Sequence, residues 1–155
     1  MLRARHQRIA VAESFTGGLL VSELIGAPGA SAVVLGGVVA YETELKQTLL
    51  GVDAQLLAEH GAVHPDVAAQ MAAGVRVHLA VANEPADIGI STTGVAGPTE
   101  QDGQPVGTVF LGFAIGPDVH TTRIELSGSR DEIRAAAVRE SLSMLASLLH
   151  QTARE

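Results

Sequence analysis

A three-layer α/β/α sandwich around a mixed five-stranded sheet is the fold the sequence predicts, and three patterns predict it. Short β-branched apolar runs alternate with helix-period segments through the first half of the chain. Two further strands follow with only Gly116-Pro117-Asp118 between them, which implies an antiparallel pair. One amphipathic helix then closes the chain. At 155 residues, a single domain spanning 1–155 with one core is the expected organisation.

Arg8 to Ala12 reads as a buried strand ending at Glu13-Ser14. Thr16-Gly17-Gly18 then opens a segment whose apolar residues Leu20, Val21, Leu24 and Ile25 share one helical face, closed by Gly26. After the turn Ala27-Pro28-Gly29-Ala30, Val33 to Tyr41 reads as a second buried strand. Its Gly36-Gly37 pair marks a bulge or the close approach of another group. Thr43 is placed as the cap of a short helix from Glu44 to Leu50, ended by Gly51, so that Lys46 falls in its first turn. Asp53 to His60 is a further short helix. Pro65 begins a longer one, with Val67, Met71, Val75 and Leu79 on one face. Asp87 to Thr92, Val106 to Ile115 and Val119 to Leu126 are the remaining strands. The connection from Thr93 to Pro105 is longer than a hairpin needs and reads as a binding loop. Ser129-Arg130-Asp131-Glu132 carries the S-x-x-E capping pattern before the last helix, whose Ile133, Ala137, Val138, Leu142, Leu145 and Leu149 lie on one side.

Composition removes several function classes. With 46% apolar and 17% charged residues the chain is too apolar for intrinsic disorder. The longest apolar stretch, Ala32 to Ala40, falls short of the roughly 20 residues of a spanning helix, so no membrane association is expected. No apolar signal core follows the basic start, which gives a cytoplasmic expectation. The absence of cysteine excludes disulfides, thiolate metal sites and a cysteine nucleophile. A net charge of −7 opposes binding to phosphate backbones, and Phe15, Tyr41, Phe110 and Phe113 are too few for a stacking platform, so no nucleic-acid partner is expected. The six histidines are scattered, and Gly61 and Pro65 break the His60/His64 pair, so neither a metal nor another cofactor is expected.

Ser14 occupies the carboxyl end of a strand just before a helix N-terminus, where α/β sheets bind ligands. Backbone N–H groups of that turn can stabilise an oxyanion, and Gly17 and Gly18 let a ligand approach the backbone. The segment lacks the GK[ST] of a phosphate-binding P-loop and the flanking glycines of a G-x-S-x-G elbow. Ser14 or Thr16 acting only as a helix cap accounts for the same residues. A possible partner strengthens Ser14. Lys46 is the one lysine among ten basic residues, and it lies five positions after the one tyrosine, Tyr41. A serine needs a base to become a nucleophile, and a lysine of lowered pKa can serve. In a first helical turn the positive end of the dipole favours its neutral form. Tyr41 brings its hydroxyl to the same sheet edge. The plainer alternatives are a solvated lysine and a half-buried strand-end aromatic. Arg130 suits a phosphate or an exposed helix surface, and Asp102 reads as a turn residue.

Ala12-Glu13-Ser14-Phe15-Thr16-Gly17-Gly18, Pro28-Gly29-Ala30-Ser31 and Gly36-Gly37-Val38-Val39-Ala40-Tyr41 through Lys46 and Leu49-Leu50-Gly51-Val52 resemble the CinA carboxy-terminal domain. The likeness continues in Gly61-Ala62-Val63, Thr92-Thr93-Gly94-Val95-Ala96-Gly97-Pro98 and Pro105-Val106-Gly107-Thr108-Val109, covering nearly the whole chain in family order. The resemblance implies an α/β fold with a five-stranded mixed sheet and a nicotinamide mononucleotide deamidase, which forms nicotinate mononucleotide and ammonia. It implies a catalytic Ser14 with Lys46 and Tyr41. Substrate-binding positions then fall at Thr16, Ser31, Thr93 and Arg130, accompanied by Gly17, Gly18, Gly94 and Gly97. It also implies a homodimer or higher homo-oligomer and the stand-alone form of the domain. Two departures stand out: Phe15 replaces the cysteine typical after the serine, and the usual first helix is reduced to Met1 to Gln7. The alternative functions are a catalytically silent pyridine-nucleotide-binding regulatory module and a structural or interaction protein.

Overall fold

The computed structural model describes residues 1–151. Residues 152–155 of the expected domain lie outside the described residues. In chain order the elements are β1 (Ile9–Glu13), α1 (Leu19–Gly26), β2 (Val34–Val39), α2 (Thr43–Leu50), α3 (Ala54–His60), α4 (Pro65–His78), β3 (Ile88–Gly94), β4 (Thr108–Ile115), β5 (Asp118–Glu125) and α5 (Arg130–Gln151). Short 3-10 turns at Leu2–Arg5 and Ala30–Ala32 precede β1 and β2. The strands form one sheet in the order β2-β1-β3-β4-β5. β1 runs parallel to β2 and β3, which helical crossovers require, whereas β3-β4 and β4-β5 are antiparallel. The sheet is therefore mixed and five-stranded, as the sequence predicts.

The period-2 alternation of β1 divides the core. Ile9 and Val11 join Leu20, Ile90, Phe113, Ile133 and Leu145 on the face covered by α1 and α5. Ala10 and Ala12 meet Val67, Met71 and Val75 on the opposite face. There the small residues serve close packing: a side chain at Gly89 would overlap the Ala72 carbonyl of α4, and one at Gly74 would overlap the Leu50 carbonyl of α2. These contacts bring α4 onto the sheet and α2 onto α4, which fixes α2 beside the carboxyl ends of the parallel strands.

Several boundaries differ from the sequence reading. β2 is an edge strand of intermediate to high exposure rather than a buried one, because β1 is its single neighbour. It ends at Val39, although Ala40 still donates its N–H to the Glu13 carbonyl at 2.8 Å. The Gly36-Gly37 signal coincides with a true bulge: the register steps from Ile9↔Val34 to Ala10↔Gly36. The Cβ position of Gly37 lies 3.0 Å from the Val21 side chain, so α1 approaches closely there. Thr43 does not cap α2. It is the first helical residue, and Glu42 occupies the cap position without a side-chain hydrogen bond. The capping box of α5 does form: Ser129 N–H donates to Glu132 Oε2 at 2.7 Å, and Glu132 N–H donates to Ser129 Oγ at 3.3 Å.

Candidate active site

β1 delivers Glu13 and Ser14 to the carboxyl edge of the sheet, where Ser14 N–H still donates to the Thr92 carbonyl at 3.0 Å. The Glu13 side chain turns inward and is fully buried. Its Oε2 accepts from the N–H groups of Gly18 at 3.1 Å and Leu20 at 3.0 Å, and Oε1 accepts from Val21 at 2.9 Å. A carboxylate thus sits on the positive end of α1 and satisfies three of its free donors. Gly17 N–H donates to the Ser14 carbonyl at 3.1 Å. The turn after Ser14 is therefore less open to a ligand than the sequence suggests. Among the described residues, the N–H groups of Phe15 and Thr16 are the two in this turn that carry no hydrogen bond.

Ser14 lines a cleft of about 410 Å³. Tyr41, Glu42 and Thr43 form one wall; Thr93, Gly94 and Gly97 form another; Arg130 lies at the start of α5. Arg130 joins the walls, with Nη1 donating to the Gly97 carbonyl at 2.6 Å and Nη2 to the Tyr41 hydroxyl at 3.2 Å. Asp102, in a left-handed conformation (φ 52°), accepts from Ala62 N–H at 2.8 Å, and Thr93 Oγ1 donates to the Ala62 carbonyl at 2.7 Å. The long loop after β3 is anchored by these contacts to the 61–63 segment. The remaining candidates lie elsewhere. Thr16 is buried with its hydroxyl against that of Thr92 at 2.7 Å, and neither it nor Gly17 nor Gly18 lines the cleft. Ser31 borders a separate groove with Ile25, Ala27 and Gly36.

Lys46 has 0% exposure, an extreme value for a lysine. Its Nζ donates to the carbonyls of Ala40 at 2.8 Å and Tyr41 at 3.2 Å, the two residues that follow β2. Burial lowers its pKa from 10.5 to about 8, and the nearby negative charges of Glu42 and Asp102 oppose that shift. Ser14 and Ala40 each follow the last paired positions, Glu13 and Val39, of adjacent parallel strands. Such strands run about 4.8 Å apart, so the serine and the carbonyls that hold the amine share one edge. The Ser14 hydroxyl and the Lys46 amine do not hydrogen-bond each other. Among the described residues no group of three or more His, Asp or Glu side chains is arranged to hold a metal ion.

Comparison with known proteins places this geometry in a family. The profile described as the CinA C-terminal domain matches residues 1–149. The chain belongs to the CinA C-terminal domain family. A CinA-like protein of Frankia casuarinae is 49% identical over 150 residues, covering 96% of this chain and 33% of the relative. A CinA-like protein of Salinibacter ruber is 50% identical over 123 residues, covering 79% of this chain and 29% of the relative. The chain thus spans about a third of the length of these curated relatives. The crystal structure of the competence damage-inducible protein A of Klebsiella pneumoniae superposes with a TM-score of 0.88 at 37% identity, covering 96% of this chain and 90% of that one. A CinA superfamily protein from Klebsiella pneumoniae 700603 gives 0.90 at 34% identity, with coverages of 97% and 91%.

Glu13, Asp102 and Arg134, whose Nε donates to the Phe15 carbonyl at 2.9 Å, shape the site and are absent from the sequence-derived candidates. A glutamate ending a buried strand directly before a glycine-opened helix was the one available signal for Glu13. Glu13→Gln keeps the size but sets an amide N–H₂ against backbone donors. It is expected to lower the unfolding free energy by about 1.5–3 kcal/mol, read from the denaturant midpoint at unchanged slope. A midpoint equal to the wild type would mean that the carboxylate does not hold α1.

Proposed function

We propose that the chain is an amidohydrolase that converts nicotinamide mononucleotide and water to nicotinate mononucleotide and ammonia. The observation that carries this reading is a cleft-lining serine sharing a sheet edge with a fully buried amine whose pKa is lowered to about 8. A neutral amine has two N–H bonds and one lone pair. The Ala40 and Tyr41 carbonyls accept two hydrogen bonds from Nζ, which accounts for both N–H bonds and leaves the lone pair to take a proton.

In the proposed reaction Ser14 Oγ attacks the carboxamide carbon while Lys46 Nζ takes the hydroxyl proton. The amide oxygen becomes an oxyanion, for which the unpaired N–H of Phe15, a residue lining the cleft, is the donor at hand in the adjacent turn. The Lys46 ammonium then protonates the departing nitrogen, the C–N bond breaks and ammonia leaves an acyl-Ser14 ester. Water attacks the ester as Lys46 takes its proton, and return of that proton to Ser14 Oγ releases the nicotinate product. Arg130 is the one Lys or Arg side chain lining the cleft among the described residues, which supports it as the partner of the nucleotide phosphate. Its bond to the Tyr41 hydroxyl supports a positioning role for Tyr41 beside the substrate.

The missing Ser14–Lys46 hydrogen bond is the observation that favours the second reading, a nucleotide-binding module without turnover. Catalytic hydrogen bonds often tighten only with substrate present, so the enzyme reading is retained. Ammonia release from nicotinamide mononucleotide separates the two, since the module binds the nucleotide and forms no product. Ser14→Ala and Lys46→Met are each expected to lower turnover by about 10²- to 10⁴-fold with far-UV circular dichroism unchanged. Wild-type turnover in Ser14→Ala would sink the covalent mechanism. The base works when deprotonated, so kcat/KM is expected to rise tenfold per pH unit below about 8 and to level above it. A rate independent of pH between 6 and 9 would remove Lys46 as the base.

A further inference from the structure

Arg134 lies one turn into α5, and the reaction described above gives it no part. Its three guanidinium nitrogens are all engaged. Nε donates to the Phe15 carbonyl at 2.9 Å, Nη2 to the Thr16 carbonyl at 3.3 Å, and Nη1 to Asp131 Oδ1 at 3.4 Å. The fork therefore spans two consecutive carbonyls of the turn that follows Ser14. Gly17, at φ +61°, leaves room for it: a Cβ there would stand 3.2 Å from Nη2.

A peptide unit is planar and trans, so a held carbonyl fixes the direction of the N–H on the other side of the same plane. The two free N–H groups after Ser14 belong to two successive planes. The first plane, Ser14 to Phe15, has its carbonyl held by Gly17 N–H at 3.1 Å. The second, Phe15 to Thr16, has its carbonyl held by Arg134 Nε. Charge-assisted bonds of this kind are stronger than neutral ones, and a cation on the carbonyl polarises the amide toward donation.

We infer that Arg134 is a positioning residue for the deamidation: by clamping the Phe15 and Thr16 carbonyls it holds the turn in which Gly17 N–H, on the plane of the Thr16 carbonyl, fixes the Ser14 carbonyl and with it the cleft-side Phe15 N–H that serves the oxyanion. The inference rests on the deamidase reading. The clamp acts on the transition state, in which the oxyanion exists, and not on ground-state binding of the nucleotide. Displacing a catalytic donor by about 1 Å costs on the order of 10²-fold.

The test is steady-state ammonia release by wild type, Arg134→Met and Arg134→Lys, with circular dichroism and thermal unfolding as checks on folding. Arg134→Met is expected to lose about 10²-fold in kcat with KM within twofold. Arg134→Lys offers one ammonium for two carbonyls, so it is expected to recover part of the loss; it also gives the same kcat-against-KM readout if the methionine variant does not fold. An active wild type with unchanged kcat in the variants, or with the loss confined to KM, overturns the role of Arg134 and leaves the deamidase standing. A wild type that releases no ammonia overturns both together.

Discussion

An amine without access to water cannot keep its charge unless something nearby pays for the lost hydration, and Lys46 is held by two backbone carbonyls rather than by a bonded carboxylate. Much of the architecture serves to keep it in that position. α2 must lie against the end of β2 for Nζ to reach Ala40 and Tyr41. That placement depends on Gly51, left-handed at φ 71°, which ends α2, and on Gly74, which lets α4 meet the Leu50 carbonyl. The negative charges of Glu42 and Asp102 oppose the depression caused by burial, which leaves the pKa near 8. A group balanced there exchanges protons readily at neutral pH, which suits a base that must also act as an acid.

The serine side of the edge is built by subtraction. A helix N-terminus next to a strand end offers several unpaired donors, yet Glu13 takes those of Gly18, Leu20 and Val21, and the Ser14 carbonyl takes that of Gly17. What remains is a pair of unpaired amides on the two residues following Ser14, of which that of Phe15 belongs to a residue lining the cleft. On the proposed reading this narrowing matters, because a donor fixed in place stabilises developing charge without reorganising, whereas a loose set of donors would have to be ordered during the reaction.

The order of elements was legible because periodicity is local. The alternation of Ile9 and Val11 against Ala10 and Ala12, and the spacing of Val67, Met71 and Val75, need no knowledge of their partners. The exposure of β2 was not legible, since an apolar run looks the same at a sheet edge as at its centre. Thr43 is not the cap, because the helix begins one residue earlier than the spacing suggests and takes Thr43 as its first residue. In the candidate site, the unique lysine and tyrosine drew attention through composition, but the burial of Lys46 arises from tertiary packing. Ser31 lies apart from the cleft in the single chain, and Thr16 faces Thr92, a residue 76 positions away. Arg134 is the clearest case: its partner Phe15 is 119 residues distant, and within α5 it reads as an ordinary polar position beside Ile133.

The chain holds one lysine, so protein grown with ¹⁵N-labelled lysine carries a single labelled ammonium group whose titration can be followed by NMR without assignment. The account predicts a midpoint near pH 8. A midpoint near 10.5, the ordinary lysine value, would show a solvated ammonium and would contradict the buried base on which the proposed chemistry depends.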